Sequence, residues 1–123
     1  MSELTIEEHL KIVLAAHAEW RKSDGEKGTR LDLRGANLSG ATMIQANLSN
    51  VKLTYADLTH AGLTGANLSK ANLSKANLSG ASLFGAKLLN ADMHDANLTG
   101  VNLTGSNLTG ANLNYVSLLK EQP

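Results

Sequence analysis

From Leu31 to Lys120 the chain falls into eighteen consecutive blocks of five residues with no insertion: LDLRG, ANLSG, ATMIQ, ANLSN, VKLTY and so on to VSLLK. The third place of the block is Leu in sixteen and Met in two, Met43 and Met93. The first place is Ala in thirteen, the exceptions being Leu31, Val51, Val101, Ser106 and Val116. A period of five is neither the 3.6 of a helix nor the 2 of a strand, so neither element alone explains it. A unit with two apolar places buries nothing by itself. It buries them by coiling, each turn of chain stacked on the turn before. The first and third places then face inward, Ala at the crowded corner and Leu in the middle, and the other three face outward. Eight blocks end in Gly, as expected where the chain turns with dihedrals that a side chain disfavours. The Asn residues at the second place are expected to hydrogen-bond along the stack. The eight Asn-Leu-Ser/Thr triplets are this repeat, not glycosylation acceptors.

Blocks of the form A(D/N)LXX over Leu31–Lys120 resemble the pentapeptide-repeat family. The resemblance implies a β solenoid, a right-handed quadrilateral β-helix with four blocks per coil, one on each side. Eighteen blocks then make about four and a half coils. At about 4.8 Å per β layer the rod is about 20 Å tall.

The first thirty residues follow another rule. Thr5-Ile6-Glu7-Glu8 has capping-box spacing. Ile6, Leu10, Val13, Leu14, His17 and Trp20 follow at helical spacing, Arg21 and Lys22 suit the C-terminal end of the dipole, and Gly25 stops the run. The spacing predicts one helix over residues 6–22, a linker from Gly25 to Thr29, and a stripe laid over the open first coil. His17-x-x-Trp20, Ser23, Gly25, Gly28 and Arg30 also resemble the leader of many uncharacterised bacterial members of the family. The division is residues 1–30 as cap and linker, 31–120 as repeat and 121–123 as a short tail.

Composition removes most chemistry. Eleven basic and eleven acidic residues cancel, so no nucleic acid partner is expected. No cysteine is present, which excludes thiol catalysis and the usual zinc sites. The chain has no apolar run of membrane-spanning length, and its acidic start (Glu3, Glu7, Glu8) is unlike a signal peptide. A cytoplasmic protein with no membrane contact is expected. His9, His17, His60 and His94 lack metal-ligand spacing, and Gly25-x-x-Gly28 lacks the strand and length of a phosphate loop. No catalytic residue, metal or cofactor is nominated, and the chain is expected not to be an enzyme.

If residues twenty apart stack, the outward residues sort by side. The side of the first block carries Asp32, Arg34, Lys52, Tyr55, Lys75, Asp92, His94, Asp95 and Tyr115, six of the ten charges of the repeat. Asp32 lies one coil from Lys52 and Lys75 one coil from Asp95, so opposite charges are expected to pair between coils. The third side carries no charge, and Ile44 and Phe84 project from it two coils apart. Arg34, Tyr55, Lys75, His94 and Asp95 on one side, and Ile44 and Phe84 on the other, are the candidate interaction residues for an unidentified protein partner. Tyr115, Leu118 and Leu119 are the candidate centre of a homodimer through the C-terminal coil, as in several members of the family. The family's best-known members mimic DNA and bind DNA gyrase. The repeat here holds six basic and four acidic residues, a net of +2, which disfavours that role. A non-enzymatic scaffold or protein-interaction module is the leading expectation.

Overall fold

The computed structural model describes residues 5–118. Parallel backbone pairings join residues twenty apart along the whole repeat, from Asp32 with Lys52 and Asn37 with Asp57 to Asn97 with Ser117. Twenty residues are four blocks, so the repeat is a β solenoid with four short pairings in each coil. Leu53 N–H donates to the Asn72 carbonyl of the next coil (2.8 Å), and Asn72 N–H donates back to Val51 (3.0 Å). Each corner is a β-turn closed from the third place to the next first place, as from Ala56 N–H to the Leu53 carbonyl (3.0 Å). The fifth place is the turn's third residue and needs positive φ. Gly supplies this freely, yet Gln45, Asn50, Tyr55, His60, Lys70, Lys75, Asn90, Asp95 and Tyr115 adopt it too, with φ between 57° and 63°. Stacking on the neighbouring coil or coils offsets that local cost.

The second-place Asn and Asp side chains do not bond along the stack as expected. Their Oδ1 accepts the fourth-place N–H of the same block: Ser74 to Asn72 (3.0 Å), Thr99 to Asn97 (3.0 Å), His94 to Asp92 (3.1 Å). The short Asn or Asp side chain reaches the backbone two residues on before it can reach another coil. The turn is therefore braced from within its own block.

Inside the rod, Leu53, Leu58, Leu63, Leu68, Leu73, Leu78, Leu83, Leu88 and Met93 are fully buried, with the first-place Ala residues packed between them. The ends depart from this pattern. Leu33 in the first coil is half-buried; Leu103 and Leu108 are half-buried and Leu113 and Leu118 exposed, because no further coil among the described residues stacks on them. Burial of the third place thus holds from Leu38 to Leu98 and fails at Leu33 and from Leu103 onward.

Helix α1 (Ile6–Lys22) carries the capping box in full: Glu8 N–H donates to Thr5 Oγ1 (3.1 Å) and Thr5 N–H to Glu8 Oε1 (2.9 Å). It ends where Gly25 N–H returns to the Trp20 carbonyl (2.8 Å), with Asp24 and Gly25 both at positive φ. The linker then lies against the helix it has left, Thr29 N–H donating to the Ala16 carbonyl (3.1 Å). A Cβ on Gly28 (φ 77°) would strike the Ala16 carbonyl oxygen and the Trp20 backbone nitrogen, so glycine is required there. Leu10 is buried, Val13, Leu14 and Trp20 are half-buried, and His17 is fully buried.

Candidate interaction surfaces

The register of twenty places Gly35, Tyr55, Lys75, Asp95 and Tyr115 in one column at the corner of the first side. Tyr55 is 63% exposed, and the Lys75 ammonium lies 5.3 Å from the centre of its ring. The Tyr55 phenol, with Asp95 adding in the same direction, raises the Lys75 pKa above its usual value. One coil on, His94 Nδ1 meets Asp95 Oδ2 at 3.0 Å, and the His94 ring stands edge-on to Tyr115 at 5.7 Å. Tyr55 with Lys75, and His94 with Asp95 and Tyr115, thus lie along one polar and aromatic strip. Each side chain in it leans on another.

The expected charge pairing between coils is replaced by pairing within one. Asp32 and Lys52 are in backbone register, but the Asp32 carboxylate is taken by Arg34, with Nε–Oδ1 at 2.9 Å and Nη2–Oδ2 at 2.7 Å. A guanidinium two residues away on the same outward turn grips both oxygens, which a lysine one coil off cannot match. The Arg34 hydrogen bonds pull the Asp32 pKa down to about 2. Lys75 reaches back one coil to the Tyr55 ring instead, while Asp95 takes His94 in its own block. Arg34 is therefore bound to its own block and stands apart from the strip.

Ile44 (58% exposed) and Phe84 (49%) lie on the third side, away from the strip, so the seven candidate residues form two surfaces. Between them Thr64 and Ser82 share a hydroxyl–hydroxyl hydrogen bond of 3.0 Å. Ile44 also borders a groove of about 450 Å³ beside α1, with Leu10, Leu14 and Met43. At the C-terminal coil Tyr115 is 81% exposed and Leu118 is exposed, while Leu119 lies outside the described residues.

The residue that sequence reasoning undervalued is His17. Its Nε2 lies 2.6 Å from the Ser49 carbonyl oxygen, and its Nδ1 accepts the Leu31 N–H at 3.0 Å. Its ring stacks on Trp20 at 5.6 Å, and the Arg30 guanidinium lies 5.6 Å from the centre of that indole ring. Burial, above all, lowers the His17 pKa. Helical spacing pointed to packing for this residue but held no sign of its partners, which lie 32 and 14 residues away.

The family model of pentapeptide repeats matches residues 32–69, 61–100 and 91–120, with eight copies. Among solved structures, the chain is similar to Rfr23, a pentapeptide repeat protein from the cyanobacterium Cyanothece 51142. The two are 32% identical over 79% of this chain and 65% of that one, with a TM-score of 0.47. It is also similar to alr5209, a pentapeptide repeat protein from Nostoc PCC 7120, at 30% identity over 90% of this chain and 88% of that one, with a TM-score of 0.47. A more distant likeness is to QnrB1, a plasmid-mediated fluoroquinolone resistance protein: 21% identity, 73% of this chain and 60% of that one, TM-score 0.26. No curated protein matches. With the repeat matched from residue 32 to residue 120, the chain belongs to the pentapeptide repeat family.

Proposed function

We propose that the chain is a non-enzymatic scaffold, a right-handed quadrilateral β-helix of about four and a half coils under an N-terminal helical cap, that presents its first side to a protein partner in the cytoplasm. The observation that carries this reading is the strip of Tyr55, Lys75, His94, Asp95 and Tyr115. Its tyrosines are exposed at 63% and 81%, yet Tyr55 is leaned on by Lys75 and Tyr115 by His94. Large amphipathic rings already held in place lose little freedom on binding, which favours them as interface anchors. The uncharged third side, with Ile44 and Phe84, supports the same kind of role less strongly, because two separated apolar side chains make a small patch. A homodimer through the C-terminal coil is part of the proposal, with the exposed Leu118 and Tyr115 at its centre.

Mimicry of DNA toward gyrase is the weaker reading. The repeat has a net charge of +2 and its Asp32 charge is neutralised by Arg34, so no phosphate-like array is offered. The test is affinity capture from the source cell with three baits: the parent chain, Tyr55→Ala/Tyr115→Ala, and Phe84→Ser. A protein retained by the parent and by Phe84→Ser but lost with the tyrosine pair supports the strip. Capture unaffected by the tyrosine pair sinks it. Light scattering of Leu118→Glu against the parent tests the dimer, which requires the parent to exceed the 13.0 kDa of one chain.

A further inference from the structure

We propose that His17 is an acid-sensitive latch: as a neutral imidazole it locks α1 onto the first coil, and its protonation releases the helix while the rod stays folded. A carbonyl oxygen only accepts, so the Nε2 that faces the Ser49 carbonyl at 2.6 Å carries the hydrogen. The Leu31 N–H only donates, so the Nδ1 that faces it at 3.0 Å must be bare. The two contacts together assign one tautomer and leave no place for a second proton. Protonating Nδ1 would set two N–H groups against each other, strand the Leu31 amide and put a cation in a fully buried site.

The surrounding charges act in the same sense. Arg21, one turn further along α1, and Arg30, at the end of the linker, both disfavour a charged ring. Arg21 reaches Asn47 Oδ1 at 3.4 Å, and Arg30 donates to the Asn50 carbonyl at 2.9 Å, so both are tied beside the site. The first coil adds the neutral Ser49 and Asn47, and among the described residues no carboxylate pairs with the ring. Burial first, then the two arginines, hold the docked His17 below its ordinary 6.5, against the opposing pull of the Ser49 carbonyl. The released form binds the proton more readily than the docked form, so docking weakens as the pH falls below 6.5 towards the docked value. In that window the released population rises about tenfold per pH unit for one proton taken up. Release uncovers the backbone edge of the first coil, which is open to pairing with a second chain. This holds whichever side of the rod binds a partner.

Trp20 is the built-in reporter, stacked on His17 with ring planes 16° apart. The test follows Trp20 emission and amide hydrogen exchange of the full chain from about pH 7.5 to about pH 5, with exchange corrected for its intrinsic pH dependence. The expected result is a rise of about tenfold per pH unit in the open population of the α1 and Leu31 amides, with the Leu73 amide unmoved. His17→Gln should flatten that rise, and His60→Asn/His94→Asn should leave it intact. Because His17→Gln can fail to dock at any pH, nitrogen NMR of the unaltered chain gives a second reading, with Nε2–H and bare Nδ1 expected at neutral pH. A hydrogen on Nδ1 at neutral pH overturns the proposal. So does a His17→Gln chain that keeps the slope, or rod amides that open together with the helix.

Discussion

Leu73 in the middle of the rod and His17 in the cap are both 0% exposed, yet the contacts that bury them differ in kind. Around Leu73 the same set of bonds recurs in each block that has a coil stacked beyond it: an N–H to the next coil, an N–H from it, a turn closed at the corner. Between the cap and the rod the polar contacts are few and each occurs once: His17 to Ser49, Leu31 to His17, Arg21 to Asn47, Arg30 to Asn50. Redundancy makes the rod tolerant of a lost outward side chain and intolerant of a lost inward one. The cap depends on single groups, so it can be released by changing one of them. A repeat protein with nearest-neighbour stability behaves in this way when one end is sealed by an unrelated element.

The sharpest way to break the comparison is in the rod. Leu73→Ala should cost about 2–5 kcal/mol by opening a cavity between two full coils. Ser74→Ala, one residue on and facing outward, should cost far less. Urea unfolding followed by circular dichroism decides, and equal losses would mean that the inward and outward places are wrongly assigned.

The cap has its own weak point at Gly28. Alanine there takes on a left-handed backbone, with strain of about 1–3 kcal/mol. Its Cβ also meets Ala16 and Trp20 backbone atoms that cannot move without leaving the helix. Gly28→Ala should therefore shift Trp20 emission and loosen α1 while the urea midpoint of the rod stays put. Gly100→Ala is the control: it shares the positive φ, but its Cβ has nothing nearer than Gly80 N at 3.8 Å, and it should cost about 1 kcal/mol. If Gly100→Ala loosens α1 as much as Gly28→Ala does, the cap and rod are not separate units.

Asn72→Ala probes the brace inside one block. It removes the acceptor for the Ser74 N–H and hydroxyl (3.0 and 2.7 Å) and should cost about 0.5–1.5 kcal/mol. A null result in urea unfolding would show that water replaces the carboxamide without loss.

Much of this contrast was legible beforehand, and the reasons are local. Leu or Met at every third place and Ala at most first places betray the coil because each block carries its own share of the core. Thr5 and Glu8 marked the helix start because a capping box closes within three residues. The bonds within each block could also have been read, since Asn or Asp two residues before Ser or Thr is an Asx-turn pattern. What stayed hidden was the direction of long side chains. Arg34 chose Asp32 in its own block, and Lys75 chose the Tyr55 ring over an ion pair with Asp95. Backbone register alone does not decide between such partners. His17 was hidden more deeply, because its role depends on how α1 rotates over Ser49 and Leu31, which the helical pattern leaves free.

The smallest expected effect separates the two regions by pH. Asp32 is exposed, and its two-point contact with Arg34 lowers its pKa from 3.8 to about 2. A carboxylate with a depressed folded value supports the folded state fully above 3.8, and that support is lost as the pH falls from 3.8 towards 2. The His17 window opens higher, at 6.5, and runs downward from there. Acid titration should therefore loosen the cap first and weaken the first coil of the rod only later. Asp32→Asn keeps an acceptor for the Arg34 N–H, now 3.1 Å from Oδ1, so the turn survives and only the charge is lost. At pH 7 its thermal midpoint should move less than that of any variant above, because an exposed pair is screened by water and salt. Between pH 4 and pH 2 the variant should lose less stability than the parent, and added salt should shrink the gap. Asp57, whose pKa is lowered by Thr59, titrates in both chains, so the difference between the two curves isolates Asp32. Superimposable acid curves would show that Arg34 does not hold Asp32 as described.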